Sequence, residues 1–161
     1  MPQTFVTDRL ILRGIRRDDA ELIAALLSRA DVRRFLGGPV PADHVAGRVA
    51  QYVKLGPDQT AWIVQLKVPK RAIGMVILAP HHDEPDPELS YQFHPDTWGQ
   101  GYATEATRRV RDVALKGLGH ARLVAETQVA NVASRQLLER LEMSETRRLV
   151  RFGADQVIYS T

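Results

Sequence analysis

The sequence predicts a mixed α/β fold: one mostly antiparallel sheet of about seven strands with helices on both faces. Three observations carry this. The order reads as a strand, two helices, three strands, a helix, a strand, a helix and two strands. Short turns between neighbouring strands favour antiparallel hairpins. One strand–helix–strand unit, 88–128, favours a single parallel step.

Residues 8–15 mix apolar and basic side chains in a strand-like segment. Asp18 and Asp19 follow as helix caps, and Leu22, Ile23, Leu26 and Leu27 recur at helical spacing. Gly37-Gly38-Pro39 breaks the chain. Pro41 opens a second helix with Val45, Val49, Tyr52 and Val53 on one face, and Gly56-Pro57 ends it. Residues 60–68 and 72–79 alternate as two strands joined near Pro69-Lys70-Arg71. Residues 80–87 form a loop. A third strand, 88–94, leads through a turn-rich stretch into a helix with Ala106, Val110, Val113 and Ala114 on one side. Then come a strand over 121–128, a helix over 131–141, and strands over 146–152 and 156–160.

A chain of 161 residues suits one domain with its own core. It has no cysteine, which excludes disulfides, thiolate metal sites and a cysteine nucleophile. The 22 cations nearly balance 19 anions, and aromatics are 6% of the residues. Nucleic-acid binding therefore ranks last among function classes. Met1 to Leu10 lack a signal-peptide core, and no apolar run reaches 18 residues, so the expectation is a cytoplasmic protein without membrane contact. His81-His82-Asp83-Glu84 reads as a solvated loop, not a metal site, because adjacent histidines on an extended chain point apart. Arg108, Arg109 and Arg111 read as a solvated helix face, and Trp62 as core.

The segment Trp98-Gly99-Gln100-Gly101-Tyr102-Ala103-Thr104 joins a strand to a helix. Two glycines allow a sharp turn and a close ligand approach. The following helix presents free N–H groups and a positive dipole end, which suits phosphate oxygens. A P-loop would need Gly-Lys-Ser/Thr, which is absent. A dinucleotide fingerprint would need a third glycine where Thr104 stands.

Glu88-Leu89-Ser90-Tyr91-Gln92-Phe93-His94-Pro95 followed by Trp98 to Ala106 resembles the GNAT acetyltransferases, in particular the RimJ/RimL type of ribosomal-protein N-terminal acetyltransferase. Asn131-Val132-Ala133-Ser134 with Leu137, Leu138 and Leu141 resembles that family's second motif. Thr7-Asp8-Arg9-Leu10-Ile11-Leu12-Arg13 and Gly153, Asp155 and Tyr159 resemble its two ends. The resemblance implies a GNAT-like fold and an N-acetyltransferase that takes acetyl-CoA as co-substrate. It implies that the amides of Trp98, Gly99, Gln100, Gly101, Tyr102, Ala103 and Thr104 hold the pyrophosphate. It implies that the Phe93 backbone meets the pantetheine arm and thioester, and that Asn131 touches the same arm or simply caps a helix. Homodimers are frequent in resembling proteins. The sequence departs from the pattern at Leu141-Glu142-Met143, where glycine is common in the middle, and at Leu138, where many relatives carry a tyrosine acid.

The chemistry needs a neutral amine. At pH 7 a lysine amine, pKa about 10.4, costs about 4–5 kcal/mol to deprotonate, and an α-amine near 8 about 1 kcal/mol. Glu88 is the first candidate base, by its place and by the resemblance; His94 is the second. Ser134 is the candidate acid toward the departing sulfur, by the resemblance. The acceptor is a peptide or protein N-terminus or a small-molecule amine. Direct transfer in a ternary complex is expected, since no serine–histidine pair is evident. The competing class is a non-catalytic acyl-CoA-binding module.

Overall fold

The computed structural model describes residues 2–161. Eight strands form one sheet in the order β1-β2-β3-β4-β5-β6-β8-β7. They are β1 (Phe5–Val6), β2 (Leu10–Gly14), β3 (Thr60–Leu66), β4 (Arg71–Pro80), β5 (Pro87–Phe93), β6 (Val124–Gln128), β7 (Ser144–Arg151) and β8 (Ala154–Ser160). The strand beyond the expected seven is β1, a two-residue pairing with β2 too short for its period to be read. All pairs are antiparallel except β5–β6, the expected parallel step.

Side chains on a strand alternate between faces, and both faces of this sheet are covered. On one face Ala61, Ile63, Met75 and Ile77 pack against Ile23, Leu26 and Leu27 of α1 (Ala20–Ser28). On the other, Trp62, Val64, Val76, Leu89 and Phe93 pack against α3 (Tyr102–Lys116) and α4 (Val132–Arg140). Trp62 is core, as expected, and its Nε1 donates to the Gln3 carbonyl at 2.9 Å. Helix α2 (Ala42–Val53) keeps the expected face, but Val45, Val49, Tyr52 and Val53 are only half-buried because α2 lies outside α1.

Several local readings change. Asp19 does not cap α1 with its side chain. Its carboxylate accepts the Arg16 amide at 2.7 Å and holds Arg13 through two bonds of 2.8 Å. Strand β6 begins at Val124 rather than 121, because residues 118–122 are still leaving α3. Arg108 and Arg111 are not simply solvated: they donate to the Arg140 and Leu141 carbonyls and satisfy the open end of α4. His81 is likewise not solvated. Its side chain is sealed from solvent, and Nε2 lies 2.8 Å from Glu126 Oε2.

Candidate active site

The glycine-rich segment runs from the end of β5 into α3, as the sequence predicts. Gly99 (φ 74°) and Gly101 (φ 80°) occupy the left-handed region, where a side chain would add strain. Gly101 is the N-cap of α3 and has no side chain to satisfy the first turn. Among the described residues, no protein acceptor takes the amide of Gly99, Gln100, Gly101, Tyr102, Ala103 or Thr104; the first bonded amide of this stretch is that of Glu105, to the Gly101 carbonyl. Six consecutive unpaired N–H groups at a helix start are a donor set of the kind that phosphate oxygens fill.

Beside this loop the sheet opens. β5 and β6 meet at one register position, Glu88 against Val124. On the other side of β5, His94 N–H bonds the Ile73 carbonyl at 2.8 Å, and Phe93 sits opposite Gly74. Antiparallel pairs alternate, so Phe93 and Tyr91 are non-hydrogen-bonded positions against β4, and their N–H and C=O groups face the gap. The Phe93 carbonyl there takes the Trp98 indole N–H at 3.0 Å. That bond sets the half-exposed Trp98 ring at the junction of gap and loop.

The two walls of the gap carry different chemistry. On the α4 side Tyr91 Oη lies 2.7 Å from Ser134 Oγ. Asn131 caps α4, its Oδ1 accepting the Ser134 amide at 3.2 Å. Burial pushes the Tyr91 phenol up to about 12, with the Ser134 bond opposing part of the shift. In the sequence Tyr91 stands only as a member of the strand motif Glu88 to Pro95, with no role of its own, because its partner Ser134 lies 43 positions away.

On the other face stands Glu88, largely buried and outside every ion pair among the described residues. Burial pushes its carboxyl above the usual range. The charge of Glu126 adds to this, while His81 and the Glu126 amide offset part of it. Around it the other charges are already matched. His81 Nδ1 accepts the Asp83 and Glu84 amides at 3.1 Å each, which leaves Nε2 to donate to Glu126. Arg151 Nε stands 3.1 Å from Glu126 Oε1, close enough for an ion pair but poorly aligned as a hydrogen bond, and its guanidinium also binds Asp83. Arg147 pairs with Glu84 at 3.0 Å. His94 is not brought to this wall; it binds Asp96 at 2.8 Å. Among the described residues no cluster of His, Asp or Glu is placed to hold a metal, and no helix is long and apolar enough to cross a membrane. A cavity of about 360 Å³ beside Pro57, Leu78, Pro85 and Leu118 lies at the far end of β5 from the glycine loop.

A parallel step that opens after one register position, next to a loop of unpaired amides, suits an extended donor with a phosphate head. The family model described as an acetyltransferase (GNAT) domain matches residues 9–144. The chain belongs to the GNAT acetyltransferase family. It is thus an acyltransferase whose family uses acetyl-CoA as co-substrate for N-acetylation. This acetyltransferase is 30% identical to the uncharacterized N-acetyltransferase YoaA of Bacillus subtilis (strain 168) over 139 residues, which is 82% of this chain and 77% of the relative. Its fold is similar to that of spermidine N-acetyltransferase from Vibrio cholerae in complex with CoA and spermine, with a TM-score of 0.83, 18% identity and 96% of each chain covered. It is also similar to ribosomal-protein-S5-alanine acetyltransferase from Vibrio fischeri, with a TM-score of 0.82, 18% identity, and 99% of this chain and 96% of that one covered.

Proposed function

We propose that this acetyltransferase is of the RimJ/RimL type and acetylates the α-amine of a peptide or protein N-terminus, by direct transfer in a ternary complex. One observation carries the choice of acceptor. On the acceptor wall Glu88 is left without an ionic partner, while Glu126, Asp83 and Glu84 are matched by His81, Arg147 and Arg151. A polyamine needs several unpaired carboxylates; a single weakly basic amine needs one base. An α-amine gives up its proton at pH 7 for about 1 kcal/mol, within reach of one buried carboxylate, against about 4–5 kcal/mol for an alkylamine near 10.4.

The pyrophosphate of acetyl-CoA lies on the amides of Gly99 to Thr104, not on that of Trp98, which already donates to the Pro95 carbonyl at 3.1 Å; its arm lies along the free edge of β5 beside Phe93 and Asn131. An N–H of that edge, from Tyr91 or Phe93, faces the thioester oxygen and stabilises the charge that forms there. Glu88 takes the proton released by the attacking nitrogen. Ser134 gives the departing sulfur a hydrogen bond, not a proton; the sulfur leaves as a thiolate of pKa about 8.5 and is protonated from solvent. Tyr91 is not the proton source: moving a proton from a phenol near 12 to a thiolate of pKa about 8.5 is uphill by roughly 4–5 kcal/mol. Its phenol stays protonated and donates to Ser134 Oγ, which turns the serine hydrogen outward. Tyr91 thus orients Ser134 and does not replace the tyrosine acid absent at Leu138. The same reading places the protein in the cytoplasm and extends to a homodimer joined at β7, the outer strand, where Val150 stands exposed, with Phe152 exposed in the turn just beyond it.

The test is thiol release from acetyl-CoA with alanyl and seryl hexapeptides, their Nα-blocked forms, and spermidine. Free peptides are expected to turn over, blocked ones not, and spermidine with kcat/KM at least ten-fold lower. A preference for spermidine would overturn the acceptor class.

A further inference from the structure

The amide-lined loop is held from outside by a residue of the β1–β2 turn. Arg9 spans three points on it. Its Nη1 donates to the Gln100 carbonyl at 2.8 Å. Its Nε pairs with Glu105 Oε2 at 2.7 Å, in the first turn of α3. Its guanidinium lies 4.4 Å from the centre of the Tyr102 ring. Glu105 is held in turn by the Thr7 hydroxyl at 2.6 Å and the Arg9 amide at 2.9 Å. Two segments about 95 residues apart in sequence are thereby tied at one carboxylate. Burial disfavours charge on Glu105, but these donors outweigh it and keep the carboxyl below its usual range.

The tie sets the direction of a peptide group. In a planar trans peptide the C=O and the next N–H point opposite ways. With the Gln100 carbonyl drawn to Arg9, the Gly101 N–H must point away from Arg9, where no protein acceptor meets it. Gly101 has a positive φ and no side chain to hold it, so this peptide would otherwise rotate readily.

We propose that Arg9, braced by Thr7 and Glu105, is a positioning residue that fixes the loop amides for the phosphates of the acetyl donor, and so makes the enzyme selective for a phosphate-bearing thioester. This rests on the reading that the loop holds the pyrophosphate. An exposed ion pair alone is worth little, so an effect confined to phosphate-bearing ligands would come from loop geometry.

The experiment is calorimetric binding of CoA and of pantetheine, which has no phosphate, with melting temperatures alongside. Wild type is expected to bind CoA far more tightly. Arg9→Ala should weaken CoA at least ten-fold and pantetheine less than two-fold. Arg9→Lys keeps the charge but has one ammonium for two partners, so it should also lose several-fold. Glu105→Gln preserves shape, weakens the brace, and gives the same selective loss should Arg9→Ala fail to fold. Wild-type affinity for CoA in Arg9→Lys would mean that charge alone acts. Equal losses for both ligands, or none, would leave Arg9 a fold tether. A wild type that binds both ligands alike would sink the loop reading itself.

Discussion

Glu88 shows how burial changes the work of one carboxyl. On a solvated strand edge it would be an ordinary acid near 4.3. At the mouth of the β5–β6 gap, burial first and Glu126 second raise it. A raised folded-state pKa gives stability that is fully present below the unfolded value and lost as pH rises through the folded one. Ionised Glu88 therefore costs stability at neutral pH. Glu88→Gln is expected to melt higher than wild type at pH 8, with the difference fading below pH 4; calorimetry at both pH values checks this. Tyr91 and Ser134 form a second local unit. Tyr91→Phe and Ser134→Ala should each lower kcat about ten-fold with KM for acetyl-CoA little changed. The double variant should be no worse than either alone, since both remove one oriented hydrogen. Additive losses would show that the two act separately.

Among elements, the end of α4 departs most clearly from the family pattern. Glu142 stands where glycine is common, and it takes the left-handed conformation all the same, with φ 60°. The Met143 amide bonds the Leu138 carbonyl and the Glu142 amide bonds the Glu139 carbonyl, a complete Schellman end, with Leu138 and Met143 both in the core. The burial of Met143 and the capping by Arg111 hold a backbone that Glu alone would disfavour by about 1 kcal/mol. Glu142→Gly should stabilise the protein by about that amount, raising Tm by roughly 2–4 °C. Helices and strands with a clear period were legible from the sequence, and so was the strand-to-helix glycine turn. The two-residue β1, the half-covered α2 and the late start of β6 were not. They depend on which neighbours lie alongside, and no local period records that.

Across the whole molecule, the site is a consequence of sheet topology. One parallel step in an otherwise antiparallel sheet opens after a single register position, and residues far apart in sequence meet around the gap and its loop: Glu88, Tyr91, Asn131 and Ser134 at the gap, and Arg9 behind the loop. The loop and its glycines could be read directly, because backbone geometry demands those residues. The Tyr91–Ser134 bond, the buried His81–Glu126 pair and the Arg9 brace could not, because each joins side chains across 43, 45 and at least 91 positions. In the proposed mechanism the two walls divide the chemistry: the amine approaches from the face carrying Glu88, and the sulfur departs toward Ser134. The measurement that bears on this most directly is kcat for Glu88→Gln with acetyl-CoA and a free-amine alanyl peptide. A fall of at least a hundred-fold, with CoA affinity within two-fold of wild type, is the expected result. Unchanged turnover would contradict it and remove Glu88 from the mechanism.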